Sequence, residues 1–107
     1  MVRESPALYP DVSRPGEIAR EVARLARSIL GEDTEMIWFG SWPRGQAHPH
    51  SDIDVAISTG QSIPPEPMAL LHEAVNDLPT LYQIDILDFS ATGSALREEV
   101  LKRGERL

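Results

Sequence analysis

Two stretches of the sequence decide the fold: FGSWPRG at residues 39–45 and SDIDVAIS at residues 51–58. In the second, apolar and polar residues alternate, which predicts a strand with its isoleucines and valine on one face and Asp52 and Asp54 on the other. The first runs from apolar residues straight into Gly40, which is typical of a buried strand that ends in a turn. We therefore interpret the two stretches as two strands, the second with one polar face.

The rest of the chain continues with helices and strands. Residues 1–12 show no clear periodicity and are interpreted as an irregular N-terminal arm, whereas residues 13–107 are interpreted as a single domain. Apolar spacing, capping residues and breakers predict helices over 13–30, 67–78 and 94–103, strands over 36–39, 51–58 and 81–89, and a short helix followed by a loop over 45–51. This order predicts an α/β (α+β) fold, a small mixed β-sheet flanked by helices.

Composition excludes several classes of function. The chain has 107 residues, no cysteine and a formal net charge of −7. Disulfides and thiolate metal sites are excluded, and direct nucleic-acid binding is disfavoured because it needs a basic face that displaces counterions. No apolar run is long enough to span a membrane, so we expect a cytoplasmic protein with no membrane contact. The acidic balance suits a basic protein partner or metal ions.

Asp52 and Asp54 are the first candidate site residues. On one strand face, residues two apart have Cα atoms about 6.5–7 Å apart, and carboxylates about 4 Å apart repel by roughly 4 kcal/mol at an effective dielectric of 20. Such a pair needs a cation, a proton or bulk water, and its hard oxygen ligands suit Mg²⁺. Asp85 is predicted to face the same way on another strand, where it can complete a three-carboxylate cluster. The alternative is that both aspartates form the solvent face of an edge strand.

Gly40, Ser41 and Arg44 form a second candidate group. A glycine lets the backbone approach a ligand closely, and Ser41 can cap a following helix while it offers its hydroxyl to a phosphate oxygen. The N–H groups at the start of a helix favour an anion, and Arg44 can add a charge-assisted contact to a phosphate. The alternative is an ordinary helix cap that binds no ligand.

Together these residues resemble a known family. Gly40 and Ser41, ten intervening residues, and then Asp52 and Asp54 separated by one residue match the Gly-Ser-x10-Asp-x-Asp signature of minimal nucleotidyltransferases in the DNA polymerase β-like superfamily. The sequence QIDILD at residues 83–88 resembles the strand that carries the third carboxylate of that family. The resemblance implies a polymerase β-like nucleotidyltransferase core.

The resemblance also implies a role for each candidate residue. Asp52 and Asp54 would bind two Mg²⁺ ions, and Asp85 would bind the ion that activates the attacking hydroxyl. Gly40 and Ser41 would hold the β- and γ-phosphates of ATP, the substrate. These residues would support transfer of a nucleotide with release of pyrophosphate.

Other residues near the motifs are weaker candidates for the site. Asp88 is a rival to Asp85, but alternation places it on the apolar face of its strand, so it ranks second. Trp38 and Trp42 are interpreted as packing residues, with stacking of a base as the alternative. His48 and His50 are interpreted as loop residues rather than catalytic ones.

The short chain resembles one branch of the family, the MntA-type MNT antitoxins that pair with a helical HEPN-domain RNase toxin. In that branch the MNT protein transfers AMP from ATP to a tyrosine of the toxin. We therefore expect a protein adenylyltransferase in a hetero-oligomer with a HEPN toxin. Two alternatives stay open: an antitoxin that acts by occlusion alone, and a small-molecule nucleotidyltransferase that works as a dimer.

Overall fold

The computed structural model describes residues 13–47 and 51–107. Its elements follow in the order α1 (Ser13–Leu30), β1 (Glu35–Phe39), β2 (Ile53–Ser58), α2 (Pro65–Asn76), β3 (Ile84–Asp88), a 3-10 turn (Phe89–Ala91), α3 (Ser94–Arg103) and β4 (Glu105–Arg106). The three long helices and the three strands predicted from the sequence are confirmed, some with different ends. No helix in the described ranges is long and apolar enough to cross a membrane. The predicted arm over residues 1–12 lies outside these ranges.

The four strands form one mixed sheet in the order β3-β2-β1-β4. β1 pairs antiparallel with β2 and with β4. β2 and β3 run parallel, because α2 connects them as a crossover. The end of β1 therefore lies beside the beginnings of β2 and β3. We call this part of the molecule the site end of the sheet.

The two faces of the sheet are covered differently. On one face α1 and α2 bury the main hydrophobic core against the isoleucines and valine of β2. On the other face α3 packs Val100 into a smaller cluster that includes Ala56 of β2, with Leu87 of β3 against it. Asp54 and Asp85 precede Ala56 and Leu87 by two residues, so they lie on this second face. The predicted alternation of β2 and β3 is confirmed.

The short helix predicted within residues 45–51 is wrong for the described part of that range. The chain instead forms a single turn over residues 41–45, closed by the Gln46 N–H, which donates to the Ser41 carbonyl at 2.9 Å. Gly45 has a φ of +71°, a left-handed conformation that ends a helical turn and stops it from continuing. Ser41 therefore begins an isolated turn rather than capping a helix.

Two predicted elements have different ends. α2 begins at Pro65, two residues earlier than predicted, because prolines are tolerated in the first turn of a helix, where N–H groups have no intrahelical partner. β3 spans only Ile84–Asp88 of the predicted range 81–89. Leu81, at the predicted start of that strand, is fully exposed in the structure.

The sequence pattern does not predict β4, which has two residues and thus no periodicity to detect. These residues, Glu105 and Arg106, add a short edge strand to β1. Gly104 makes the tight entry into β4 possible, because a Cβ atom there would overlap the side chain of Ile37 and the carbonyl of Val100.

Asp88, at the end of β3, fixes the loop that precedes α2. Its carboxylate accepts hydrogen bonds from the Ile63 N–H at 2.9 Å, the Ser90 N–H at 3.0 Å and the Ser90 hydroxyl at 2.7 Å. Burial by itself raises the pKa of Asp88, but these hydrogen bonds and one from the Ala91 N–H outweigh burial, so the pKa is lowered. Asp88 therefore has a structural role: its carboxylate holds two loops together, on the strand face opposite Asp85.

We expect Asp88→Ala to lower the free energy of unfolding at neutral pH by about 1 kcal/mol, because it removes the acceptor of several partly buried donors. Since the pKa is lowered in the folded protein, this stabilisation is present above the unfolded-state pKa and is lost as the pH falls through the folded-state value. Urea unfolding at neutral and acid pH measures both effects. Asp88→Asn keeps one acceptor oxygen, so its free energy of unfolding should lie between those of Asp88→Ala and the unchanged protein. Equal stability of Asp88→Ala and the unchanged protein at neutral pH would contradict a structural role for the Asp88 carboxylate.

Candidate active site

The predicted carboxylates meet at the site end of the sheet. Asp54 on β2 lies directly opposite Asp85 on β3 in the parallel register, and neighbouring strands are about 4.7–4.9 Å apart. Asp52 lies two residues earlier, immediately before β2 begins, and is exposed like Asp85. The structure thus brings Asp54 and Asp85 together and places Asp52 next to them.

The surroundings of Asp54 disfavour its ionised form. Its pKa is raised from 3.8 to about 6. The largest cause is burial, and the charges of Asp85 and Asp52 and a hydrogen bond with the Asp85 side chain add to it. A hydrogen bond between two carboxyl groups requires a proton on one of them. The ionised form of Asp54 is therefore unfavourable until a proton or a cation compensates its charge.

The chemistry of this group fits Mg²⁺, because the atoms that it offers are carboxylate oxygens and Mg²⁺ prefers oxygen ligands. The three side chains come from the starts of two neighbouring strands. Within residues 13–47 and 51–107, no three histidine, cysteine or acidic side chains are already arranged to hold a metal ion. Mutual repulsion of Asp52, Asp54 and Asp85 opposes such an arrangement before a cation binds. Their role as metal ligands stays a prediction.

Gly40 is in direct contact with this group. Its φ of +87° lies in the left-handed region that favours glycine. Phe39, its predecessor, is the register partner of Asp54, and a Cβ atom on Gly40 would overlap the Asp54 carboxylate. The backbone conformation at this position therefore favours the glycine of the Gly-Ser motif, and its missing side chain leaves room for the Asp54 carboxylate.

The other two residues predicted to contact phosphates lie in the turn that follows. Ser41 begins the turn and is partly buried. Arg44, three residues later, forms an ion pair with Glu99 of α3, with its Nη1 3.3 Å from the Glu99 Oε1. The predicted contacts of Ser41 and Arg44 with a phosphate stay predictions.

Trp42 is a positioning residue that the sequence analysis did not assign. Its indole N–H donates to the Ser51 carbonyl at 3.0 Å, which ties the turn after β1 to the residue before Asp52. Its ring also meets Tyr82 edge to face, with centroids 6.0 Å apart. Tyr82 belongs to the segment that leads into β3 and Asp85. One buried tryptophan thus connects the three parts of the chain that form the site.

Trp38 and Trp42 are both buried in the main core, which confirms their interpretation as packing residues. His48 and His50 lie outside the described residues. The only sequence signal for the role of Trp42 is its position directly after the Gly-Ser motif. No local signal indicates the contact between Arg44 and Glu99, which are 55 residues apart.

Comparison with known proteins identifies the class of molecule. The chain matches the family described as polymerase beta, nucleotidyltransferase, over residues 21–107, and it belongs to that family. A comparison with curated proteins finds no match.

Solved structures agree on the fold. A minimal nucleotidyltransferase superposes with a TM-score of 0.69 at 23% identity, over 94% of this chain and 100% of that one. A toxin–antitoxin complex with AMP-PNP superposes with a TM-score of 0.62 at 22% identity, over 82% of this chain and 70% of that one. An MNT antitoxin in complex with the tri-AMPylated HEPN toxin of Shewanella oneidensis superposes with a TM-score of 0.58 at 18% identity, over 86% and 70% of the two chains. The polymerase β-like fold predicted from the sequence is confirmed.

We expect Gly40→Ala to destabilise the protein by more than the roughly 1–2 kcal/mol that a left-handed backbone costs an L-residue, because the new Cβ also meets Asp54. Gly60→Ala is the matched control, since Gly60 has a φ of +86° and open space around it. Chemical unfolding of both variants separates the contact from the backbone conformation. In an Asp54→Ala background the two substitutions should cost the same. Equal costs in the unchanged background would contradict the contact.

We expect Asp54→Asn to raise the melting temperature at neutral pH without divalent metal, because it removes an unfavourable buried charge. The pKa of Asp54 is raised from 3.8 to about 6, so the folded state binds this proton more tightly and stability falls as the pH rises through that range. An effect on the order of 1 kcal/mol, after solvent screening, corresponds to several degrees in a domain of this size.

Thermal unfolding across the acid and neutral range measures this difference. It should vanish below the ordinary aspartate pKa, where both states are protonated. Asp33→Asn, a change of the same charge in an exposed turn before β1, should show no such pH dependence. A lower melting temperature for Asp54→Asn at neutral pH would contradict the unfavourable charge.

Proposed function

We propose that this nucleotidyltransferase transfers AMP from ATP to a tyrosine hydroxyl of a HEPN-domain RNase toxin and thereby neutralises it. Membership of the polymerase β nucleotidyltransferase family supports the class of reaction. The observation that carries the proposal is the register of β2 and β3, which sets Asp54 opposite Asp85 and beside the Gly40 backbone.

The carboxylates are proposed as the metal ligands. Asp52 and Asp54 would hold two Mg²⁺ ions, with Asp85 as a further ligand of one of them, and the bound ions would stabilise the negative charge that develops on the attacking and leaving oxygens. Asp54 and Asp85 lie on paired strands, so the sheet fixes their separation. Asp52 lies immediately before its strand begins and is exposed, so the sheet constrains it less.

The turn after β1 is proposed to hold the triphosphate. Gly40, whose missing side chain leaves room for the Asp54 carboxylate, would bring the backbone of the turn close to both the metal ligands and the phosphates. Ser41 would donate its hydroxyl to a phosphate oxygen, and Arg44 would supply a charge-assisted contact. The α-phosphorus would then lie toward Asp54 and the outer phosphates toward the turn.

In the reaction, the tyrosine oxygen forms a bond to the α-phosphorus of ATP as the bond from that phosphorus to the bridging oxygen of the β-phosphate breaks. Pyrophosphate leaves, and the phenolic proton goes to solvent. Asp85 is exposed, so an acceptor side chain from another molecule can reach this part of the site.

The partner is proposed on two grounds. One of the similar folds is an MNT antitoxin in complex with a tri-AMPylated HEPN toxin, and another belongs to the MntA-HepT toxin–antitoxin pair. The formal net charge of −7 favours a basic, RNA-binding partner through complementary potentials. An added AMP places an anion on the toxin, where it would repel RNA phosphates.

We expect the chain, incubated with ATP, Mg²⁺ and the HEPN-type RNase encoded beside it, to increase the mass of that RNase by one or more AMP groups. Asp52→Asn and Asp54→Asn should abolish the transfer because they remove metal ligands. Asp85→Ala should abolish the transfer yet keep triphosphate binding, since the other two aspartates remain. Intact-mass spectrometry measures the transfer, and calorimetry measures the binding.

Asp33→Asn serves as the charge-matched control and should keep full transfer. A toxin of unchanged mass that regains RNase activity when the two proteins are separated would show neutralisation by occlusion. Transfer of AMP to a small molecule with none to protein would favour a small-molecule nucleotidyltransferase. Transfer by both Asp52→Asn and Asp54→Asn would contradict the metal site itself.

A further inference from the structure

Glu99 of α3 lies between two arginines. Its Oε1 is 3.3 Å from the Arg44 Nη1 and 3.5 Å from the Arg103 Nε. Arg103 is on the same helix, one turn later, whereas Arg44 comes from the turn after β1. Glu99 therefore connects the proposed triphosphate turn to α3.

The position of Glu99 is fixed by its neighbours in α3. The next residue, Val100, is fully buried in the cluster on the second sheet face. At the end of the helix, Gly104 packs so closely on Ile37 of β1 that a Cβ atom would not fit. α3 is thus held against the sheet, and Glu99 is presented to Arg44 from a rigid support.

The contact between Arg44 and Glu99 is weak enough to be replaced. Both side chains are about one-third exposed, at 34% and 39%, and they meet through a single nitrogen–oxygen pair. Exposed pairs of this kind contribute little because solvent screens them and ordering the side chains costs entropy. A triphosphate presents several charged oxygens and can compete for the same guanidinium.

We propose that Glu99 is a positioning residue that holds the Arg44 guanidinium against α3 until a nucleoside triphosphate replaces Glu99 as its partner. The proposal rests on the proposed function, because it takes Arg44 as a triphosphate ligand. Glu99 keeps the guanidinium beside the turn and, by occupying it, lowers the affinity of the site for triphosphate. Arg103 compensates the charge of Glu99 after Arg44 leaves, so the exchange does not leave an isolated carboxylate.

The test is the affinity for an ATP analogue with a methylene group between its α- and β-phosphates, measured with Mg²⁺ by calorimetry. Glu99→Gln removes the charge that attracts Arg44, so it should weaken the hold on the guanidinium and tighten triphosphate binding by up to about fivefold, the range of an exposed ion pair. AMP lacks the outer phosphates, so its affinity should not change. Glu98→Gln removes the same charge from the neighbouring exposed position and should have no more than a minor effect.

Two further variants test the route through Arg44. In an Arg44→Ala background, Glu99→Gln should no longer tighten binding, because the residue that Glu99 holds is gone. Arg103→Gln leaves Arg44 as the partner of Glu99 and should weaken triphosphate binding, whereas Lys102→Gln, its charge-matched neighbour, should weaken it less. High salt should reduce every difference, since it screens exposed pairs.

The outcomes separate this proposal from the proposed function. If the unchanged protein does not bind the analogue, both fail. If it binds and Glu99→Gln equals Glu98→Gln, the role of Glu99 is overturned while the nucleotide site stands. Tightening that persists with Arg44→Ala also overturns it, because Glu99 would then act through general charge alone.

Discussion

The parallel pairing of β2 with β3, added to the antiparallel pairing of β2 with β1, is the constraint on which the site depends. It sets Asp54 opposite Asp85 and next to the backbone at the end of β1. A slip of one residue in either register would turn each aspartate to the other face of the sheet. The apolar residues of β2 prevent that slip, since Ile53, Val55 and Ile57 are fully buried and would be exposed by it. The core thus fixes the positions of Asp54 and Asp85 through the alternation of one strand.

The same arrangement carries an electrostatic cost. The fold places Asp54 partly out of water beside Asp85 and Asp52, and its pKa is raised for these reasons. Aspartate is also a poor strand former. A sequence selected only for stability would avoid this combination. The buried face of β2 offsets the cost, and the unfavourable charge leaves the site suited to a cation that would relieve it.

The turn after β1 is a local structure with long-range supports. Its own hydrogen bond and the left-handed Gly45 close it, but its place in the molecule comes from two side chains that leave it in different directions. Trp42 ties it to the segment before Asp52, and Arg44 ties it to α3 through Glu99. The first contact is buried and sets geometry. The second is partly exposed and therefore weaker, since solvent screens it.

The sequence by itself determined the order of the helices and long strands, the two faces of β2 and β3, and the family motif, because periodicity and breaker residues act over a few positions. It also placed Asp54 and Asp85 on one side, since alternation within each strand follows from side-chain direction. It did not determine β4, which is too short for a period, or the single turn at residues 41–45, where the left-handed Gly45 keeps the chain from continuing into the short helix that the pattern favoured. Only the tertiary structure decided that Asp88 accepts a hydrogen bond from the Ile63 N–H, that Trp42 joins three segments and that Arg44 meets Glu99. These contacts join separate segments of the chain, and the packing of the helices and the sheet, rather than any local preference, brings them together.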